Sequence, residues 1–377
     1  MSPFDLSALD PSDSPDRSSA LSESTGTGPS RVVTGLCVGD FHDRWDQVRQ
    51  VAALGEAVVA DLLAILQDDD QDWEARWFAA RALGDRAQPE VIAALIDTFA
   101  QTADDDLRRA VAAALTQIGP PAIAALGQQL SQPALRPVAV QALARIYHPA
   151  TVPLLLGVVG ELRSQVLATA LDALGAFADP ATLPTLRREL ANPAATVRAA
   201  AIRGLLNLRS TLDPATLAPW LAPRLQDSDL AVAQQAAYAL GRLPVTAATE
   251  PLLQLLPTAA PALQVSVVQA LLWQNTAPAL AGLIAAWPDL SEAARLALTQ
   301  GVATLDLDLR PQAALALAHW LRALPATPAH SPLRRHLILA LGQIGTAALA
   351  PDLHALLEDP DQGVRLHAEA ALRQLQP

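Results

Sequence analysis

One motif returns along this chain at a nearly fixed interval, and only an internally repetitive fold accommodates that. It closes on an apolar residue at Leu83, Leu115, Leu143, Leu174, Leu205, Leu240, Leu271, Val302, Leu341 and Leu372. Successive spacings are 32, 28, 31, 31, 35, 31, 31, 39 and 31 residues. The longest interval contains PATPAHSP (325–332), a proline-rich stretch that predicts a loop insertion.

Each interval has the same internal plan. A first amphipathic segment, such as PEVIAALIDTFA, runs into a short polar break such as LQDSD or LEDPD. A second segment follows, with valine or alanine early, alanines in the middle and leucine near the end. Proline often opens the first segment, where a helix does not need its N–H. Aspartate or asparagine in the break supplies a cap for the second. Alanine and leucine carry the apolar content, which favours helix over strand. Two amphipathic helices cannot bury their own stripes, whereas stacked pairs share one continuous core. The expectation is an all-α, right-handed α-solenoid, an α–α superhelix of about ten two-helix repeats, over residues 31–377. Residues 31–55 are expected to form an N-terminal cap region on it. Residues 1–30, rich in Ser, Asp, Pro and Gly, predict a disordered tail.

The second segments GVRLHAEAAL, TVRAAAIRGL and EARWFAARALG, the first and last led by an acidic break, resemble HEAT repeats. More closely, they resemble the short HEAT-like repeats of the phycobilisome-lyase type found in cyanobacterial HEAT-repeat proteins. The resemblance covers roughly residues 45 to 377. EARWFAARALG is also similar to the aromatic R-Y-Y-A-A-W-W-L-G stretch of the lyases. Here Arg81 and Ala82 replace its second aromatic pair, and Trp73 is out of register with it.

A net charge of −12 and a pI near 4.9 argue against nucleic acid and against an anionic membrane surface. All 26 basic residues are arginine, which removes Schiff-base chemistry and the phosphate-binding P-loop lysine. No apolar run approaches the roughly 20 residues of a membrane span, and the N-terminus shows no signal-peptide pattern. A cytoplasmic protein is expected. None of the seven histidines precedes a glutamate, so the paired His-Glu motifs of a HEAT-fold di-iron hydroxylase are missing. H-E-x-x-H, C-x-x-C, G-x-S-x-G and a glycine-rich phosphate loop are missing too. Cys37 and His42 are weak candidates for a metal or iron–sulfur cluster, because a structural site needs about four ligands.

The stretch DWEARWFAARALGD (72–85) places Trp73 and Trp77 four residues apart in a chain that is 4% aromatic. On a helical wheel Ala75, Phe78, Ala79, Ala82 and Leu83 share the core side. Trp73, Trp77, Ala80 and Gly84 fall opposite, so the indoles are expected to form an uncovered binding patch. Burial under the N-terminal cap region is the alternative. Arg76, Arg108, Arg136, Arg198, Arg295, Arg334 and Arg365 stand seven residues before their anchors. The HEAT resemblance implies a structural ladder at that position, formed with the acidic residue of the break. Arg81 and Arg109 lie outside it and are expected to be freer than the ladder arginines to meet an anionic ligand or partner.

These readings favour a non-catalytic scaffold or adaptor with a partner protein in its concave groove and no cofactor. Its acidic breaks, among them Asp68–Asp70 and Asp104–Asp106, would set the sign of acceptable partners. The resemblance implies an alternative, a bilin lyase or isomerase-like subunit handling a tetrapyrrole on a phycobiliprotein. Trp73 and Trp77 would then stack on pyrrole rings while Arg76 or Arg81 meets the propionates. A lesser alternative is an adaptor for an iron–sulfur carrier protein.

Overall fold

The computed structural model describes residues 35–37, 40–161, 163–345 and 347–375, so the expected tail at 1–30 lies outside the described residues. Those residues contain helices and turns but no strand. A helical turn at 35–37 and helix α1 (Phe41–Ala53) come first among the described residues, and ten helix pairs follow. The first four are α2 (Val59–Gln67) with α3 (Trp73–Leu83), α4 (Pro89–Gln101) with α5 (Asp105–Ile118), α6 (Ile123–Gln129) with α7 (Arg136–Arg145), and α8 (Thr151–Val158) with α9 (Ser164–Ala176). The next three are α10 (Leu183–Glu189) with α11 (Ala195–Asn207), α12 (Pro214–Leu221) with α13 (Leu230–Gly241), and α14 (Thr246–Leu255) with α15 (Pro261–Gln274). The last three are α16 (Ala277–Ala286) with α17 (Glu292–Gly301), α18 (Arg310–Ala323) with α19 (Ser331–Ile344), and α20 (Ala350–His354) with α21 (Gln362–Leu375). All ten anchors, Leu83 to Leu372, are buried. The result is an all-α solenoid with one helix pair per anchor.

Local chemistry sets the helix starts. Asp72 accepts from the Ala75 N–H at 2.6 Å, Asp104 from Leu107 at 2.9 Å and Asp229 from Val232 at 3.2 Å. Each cap satisfies one of the N–H groups that a helix start leaves orphaned. The loop of the long interval occupies 324–330. Ser331 and Pro332, the end of PATPAHSP, already form the first turn of α19, where proline is tolerated.

The ladder arginines work mainly on the opposite helix ends. Arg76 Nε donates to Leu66 O at 3.0 Å, Arg136 Nε to Leu130 O at 2.7 Å and Arg295 Nε to Trp287 O at 3.2 Å. Each carbonyl closes, or directly follows, the first helix of the same unit, where helical partners run out. Acidic partners are less uniform than expected. Arg76 takes Asp69 of its own break, but Arg198 and Arg334 take Asp227 and Asp359 from the break of the following unit. Gln264 holds the same position without charge, donating to Leu256 O and Asp289 O and accepting from the Ser291 N–H.

The second helices form one row and the first helices another, and their spacing differs. A Cβ added at Gly175 would fall on the Gly204 backbone, joining α9 to α11. One added at Gly241 would lie 2.6 Å from Ala270 Cα, joining α13 to α15. In the row of first helices the contacts of Gly127 and Gly282 are with whole leucine side chains, Leu154 and Leu253. Backbones that touch backbones stack at a shorter repeat than backbones spaced by leucines. The second helices therefore line the inside of the curve, and their exposed stripe is the groove surface.

Candidate functional site

Two residues before each anchor, every second helix has a solvent-facing position. Gln141, Asp172, Tyr238, Gln269 and Leu339 occupy it in successive parts of the chain. On α3 this position is Arg81, and Trp77 and Trp73 stand four and eight residues before it on the same stripe. Ala80 and Gly84, expected on the same exposed face, are buried, and Gly84 lies against Gln117 of α5. The wheel fails there because the flank of a second helix is covered by its neighbour in the row.

Helix α1 completes the site. Its stripe carries Phe41 and Trp45, 32 residues before Trp73 and Trp77. Trp45 and Trp77 stack with ring centroids 6.5 Å apart, and Phe78 meets Trp77 edge-on at 4.9 Å. Phe41 packs on Phe78 at 5.3 Å. The Arg81 guanidinium lies 4.6 Å from the Trp45 ring and 5.7 Å from Trp77. The two expected roles of the indoles thus separate. Trp77 is half-buried under the N-terminal helix, while Trp73 remains 47% exposed beside Phe41 at 60%.

Arg44 fastens α1 to α3. The buried guanidinium donates to both Asp72 carboxylate oxygens at 2.8 Å and to Glu74 at 3.3 Å. The hydrogen bond from Arg44, aided by the Ala75 N–H, holds the Asp72 carboxyl below the usual carboxylate range. Phe41, Trp73, Glu74, Trp77, Phe78 and Asp106 surround a pocket of about 260 Å³. Arg109 is more exposed than the ladder arginine Arg108 but is not unpartnered. It pairs with Asp106 at 2.5 Å, a pairing that also raises its own pKa. Arg76 points away from the stripe, to Leu66 and Asp69.

Cys37 is a half-buried free thiol whose pKa is pushed up by burial, with Arg44 pulling the other way. His42 is exposed on α1. Among the described residues no group of three or more His, Cys, Asp or Glu side chains is placed to hold a metal. Nor is any helix among them long and apolar enough to cross a membrane.

A second aromatic pair lies further along the groove. Tyr238 of α13 and Trp273 of α15 meet edge to face at 5.3 Å, and both remain exposed. Between the two ends, α9, α11 and α13 enclose a depression of about 310 Å³. Its surface is small residues, Ala168, Thr169, Thr196 and Ala199, beside the two-pronged Arg203–Asp172 pair at 2.9 Å. Sequence reasoning missed Tyr238, Trp273, Phe41 and Trp45. The solvent-facing register of α3, carried to the other second helices, finds Tyr238 directly.

An all-α solenoid with a groove of exposed second-helix stripes is the class these features define. The family models for HEAT repeats match residues 59–133 and 123–206, and that for the PBS lyase HEAT-like repeat matches 333–359. Residues 59–206 thus carry HEAT repeats, and 333–359 a PBS lyase HEAT-like repeat. No curated protein matches the sequence. Among solved structures it is similar to Kap95p with RanGDP (TM-score 0.58, 12% identity, 91% of this chain and 57% of that one). Yeast importin-β alone gives TM-score 0.53 at 12% identity over 92% of this chain and 57% of that one. Kap121p bound to Ste12p gives 0.64 at 13% identity over 92% and 44%. At these identities the likeness is one of fold, and the chain spans less than two thirds of each of those proteins.

Proposed function

We propose that this protein is a non-catalytic scaffold whose concave groove holds a partner protein. The observation that carries this reading is the placement of large aromatic side chains, uncovered, on the groove row at two separated points. Phe41 and Trp73 stand at one and Tyr238 and Trp273 at the other. Exposed aromatics cost solvation when left bare and supply the anchors on which most interface energy concentrates. The small-residue floor between them leaves room for a main chain to lie close to α9 and α11. The similar folds of Kap95p with RanGDP and Kap121p with Ste12p, both solved with a protein bound, support this use of the architecture.

Handling of an open-chain tetrapyrrole is less well supported. Propionates near Trp73 would face Glu74 and Asp106, and Arg76 is engaged with Leu66 and Asp69. A phycobiliprotein subunit or an iron–sulfur carrier would enter this account as the protein in the groove. Affinity purification from the native host with mass spectrometry, run on the wild type and on Tyr238→Ser/Trp273→Ser, tests the reading. A partner retained equally by both argues against the groove.

A further inference from the structure

The aromatic pocket at the N-terminal end of the groove has a chemistry that the scaffold reading leaves unused. Four rings, from Phe41, Trp73, Trp77 and Phe78, surround it, and two carboxylates, Glu74 and Asp106, stand among them. Indole faces carry negative quadrupole charge and attract a cation within about 6 Å of the centroid. The same cluster already shows that preference within the chain, since Arg81 lies over the Trp45 and Trp77 rings. That internal guanidinium occupies the Trp45 end, while the end lined by Phe41 and Trp73 is exposed. Glu74 keeps 40% and Asp106 63% of their side-chain surface accessible, although Arg44 and Arg109 contact them. Asp106 belongs to the acidic run Asp104–Asp106 at the start of α5.

We infer that this pocket is a cage for a cationic side chain, arginine or lysine, of an extended segment of the partner protein. The inference rests on the groove reading and narrows it. The partner presents a basic residue at the N-terminal end of the groove, held between the Trp73 and Phe41 faces with Glu74 and Asp106 on its charge. A volume of about 260 Å³ accommodates one such side chain. An anionic group is opposed by both carboxylates, and a purely apolar side chain gains nothing from their exposed oxygens.

The test uses the full chain, ¹⁵N-labelled, and follows the indole N–H signal of Trp73. Three blocked pentapeptides are titrated, identical except for a central arginine, leucine or glutamate. The arginine peptide shifts Trp73 saturably, weakens with added salt, and binds at least about fivefold tighter than the other two. Glu74→Gln with Asp106→Asn, which preserves shape and leaves Arg44 on Asp72, reduces that affinity about fivefold or more in a protein that still melts cooperatively. Equal binding of the leucine peptide overturns the inference, as does unchanged arginine binding in the folded carboxamide variant or the absence of any saturable shift. Tyr238→Ser/Trp273→Ser keeps the arginine response, because that pair lies outside the cage. If the partner is captured through the groove but the arginine peptide does not titrate Trp73, the cage assignment falls alone. If the peptide titrates while capture is insensitive to the groove variant, the cage stands and the groove reading falls.

Discussion

Arg198 and Asp227 meet edge to edge across 29 residues of sequence, with Nε–Oδ2 at 2.8 Å and Nη2–Oδ1 at 2.6 Å. The same guanidinium donates to Asn192 O and Pro193 O at 2.9 Å, so one side chain closes the break of its own unit and grips the next. Arg44 with Asp72 and Arg334 with Asp359 repeat the relationship at other junctions. In a solenoid, where each unit touches only its neighbours, such junctions decide how far a local opening spreads.

Asp227→Asn should therefore cost about 3 kcal/mol, because it leaves a buried guanidinium without its counter-charge. Hydrogen exchange should show the loss concentrated around α11 and α13, with α19 and α21 retaining wild-type protection. A uniform loss along the chain would mean that the units are more strongly coupled than their contacts imply.

Acid should weaken the same junctions. Hydrogen bonds from Arg44 and Arg198 hold the carboxyls of Asp72 and Asp227 below their ordinary values. A carboxyl depressed in the folded state contributes stability above its unfolded pKa, and that contribution disappears as pH falls through the folded value. Melting temperature should be nearly flat from neutral pH to about pH 5 and decline below about pH 4, with a shallower decline in Asp227→Asn. Equal acid slopes in both proteins would remove this pair from the account.

Glycine at the inner row has a stated job. Gly175→Ala would press a methyl onto the Gly204 backbone and should cost about 1–3 kcal/mol. Gly157→Ala on α8, where nothing lies within 4 Å, should be neutral or stabilising by up to about 1 kcal/mol. Thermal melts of the two variants compare them directly. Equal effects would mean that the inner row is not close-packed.

The two tryptophans of α3 should separate in the same way. Trp77→Ala removes a ring stacked on Trp45 and edge-on to Phe78 and should cost about 2 kcal/mol. Trp73→Ala should change stability less than Trp77→Ala, by about 0.5 kcal/mol, because nearly half of Trp73 is in water. A marked loss in Trp73→Ala would transfer it from the groove surface to the packing.

How much of this was legible follows from what periodicity encodes. The anchor spacing located all ten helix pairs, since a buried leucine once per unit is a strong one-dimensional signal. It stopped one unit short. Val51 is fully buried, and Arg44, Trp45 and Phe41 precede it by the intervals that separate Arg76, Trp77 and Trp73 from Leu83. The expected cap region therefore contains α1 in the place of a second helix, with valine at its anchor as at Val302. Burial of Ala80 and Gly84 was not legible, because a single-helix wheel contains no neighbour in the row. The partner of Arg109 was legible, since Asp106 lies three residues away on its own helix, a spacing at which side chains meet.

The most direct measurement of the central claim is site-specific photo-crosslinking in the native host. A photoreactive residue is placed at Gln141 or Trp273 on the groove row, and at Leu315, exposed on the first helix α18, as the convex control. The account predicts that both groove positions crosslink to the same protein and that position 315 does not. Crosslinks confined to position 315, or different proteins at 141 and 273, would contradict a partner held in the concave groove.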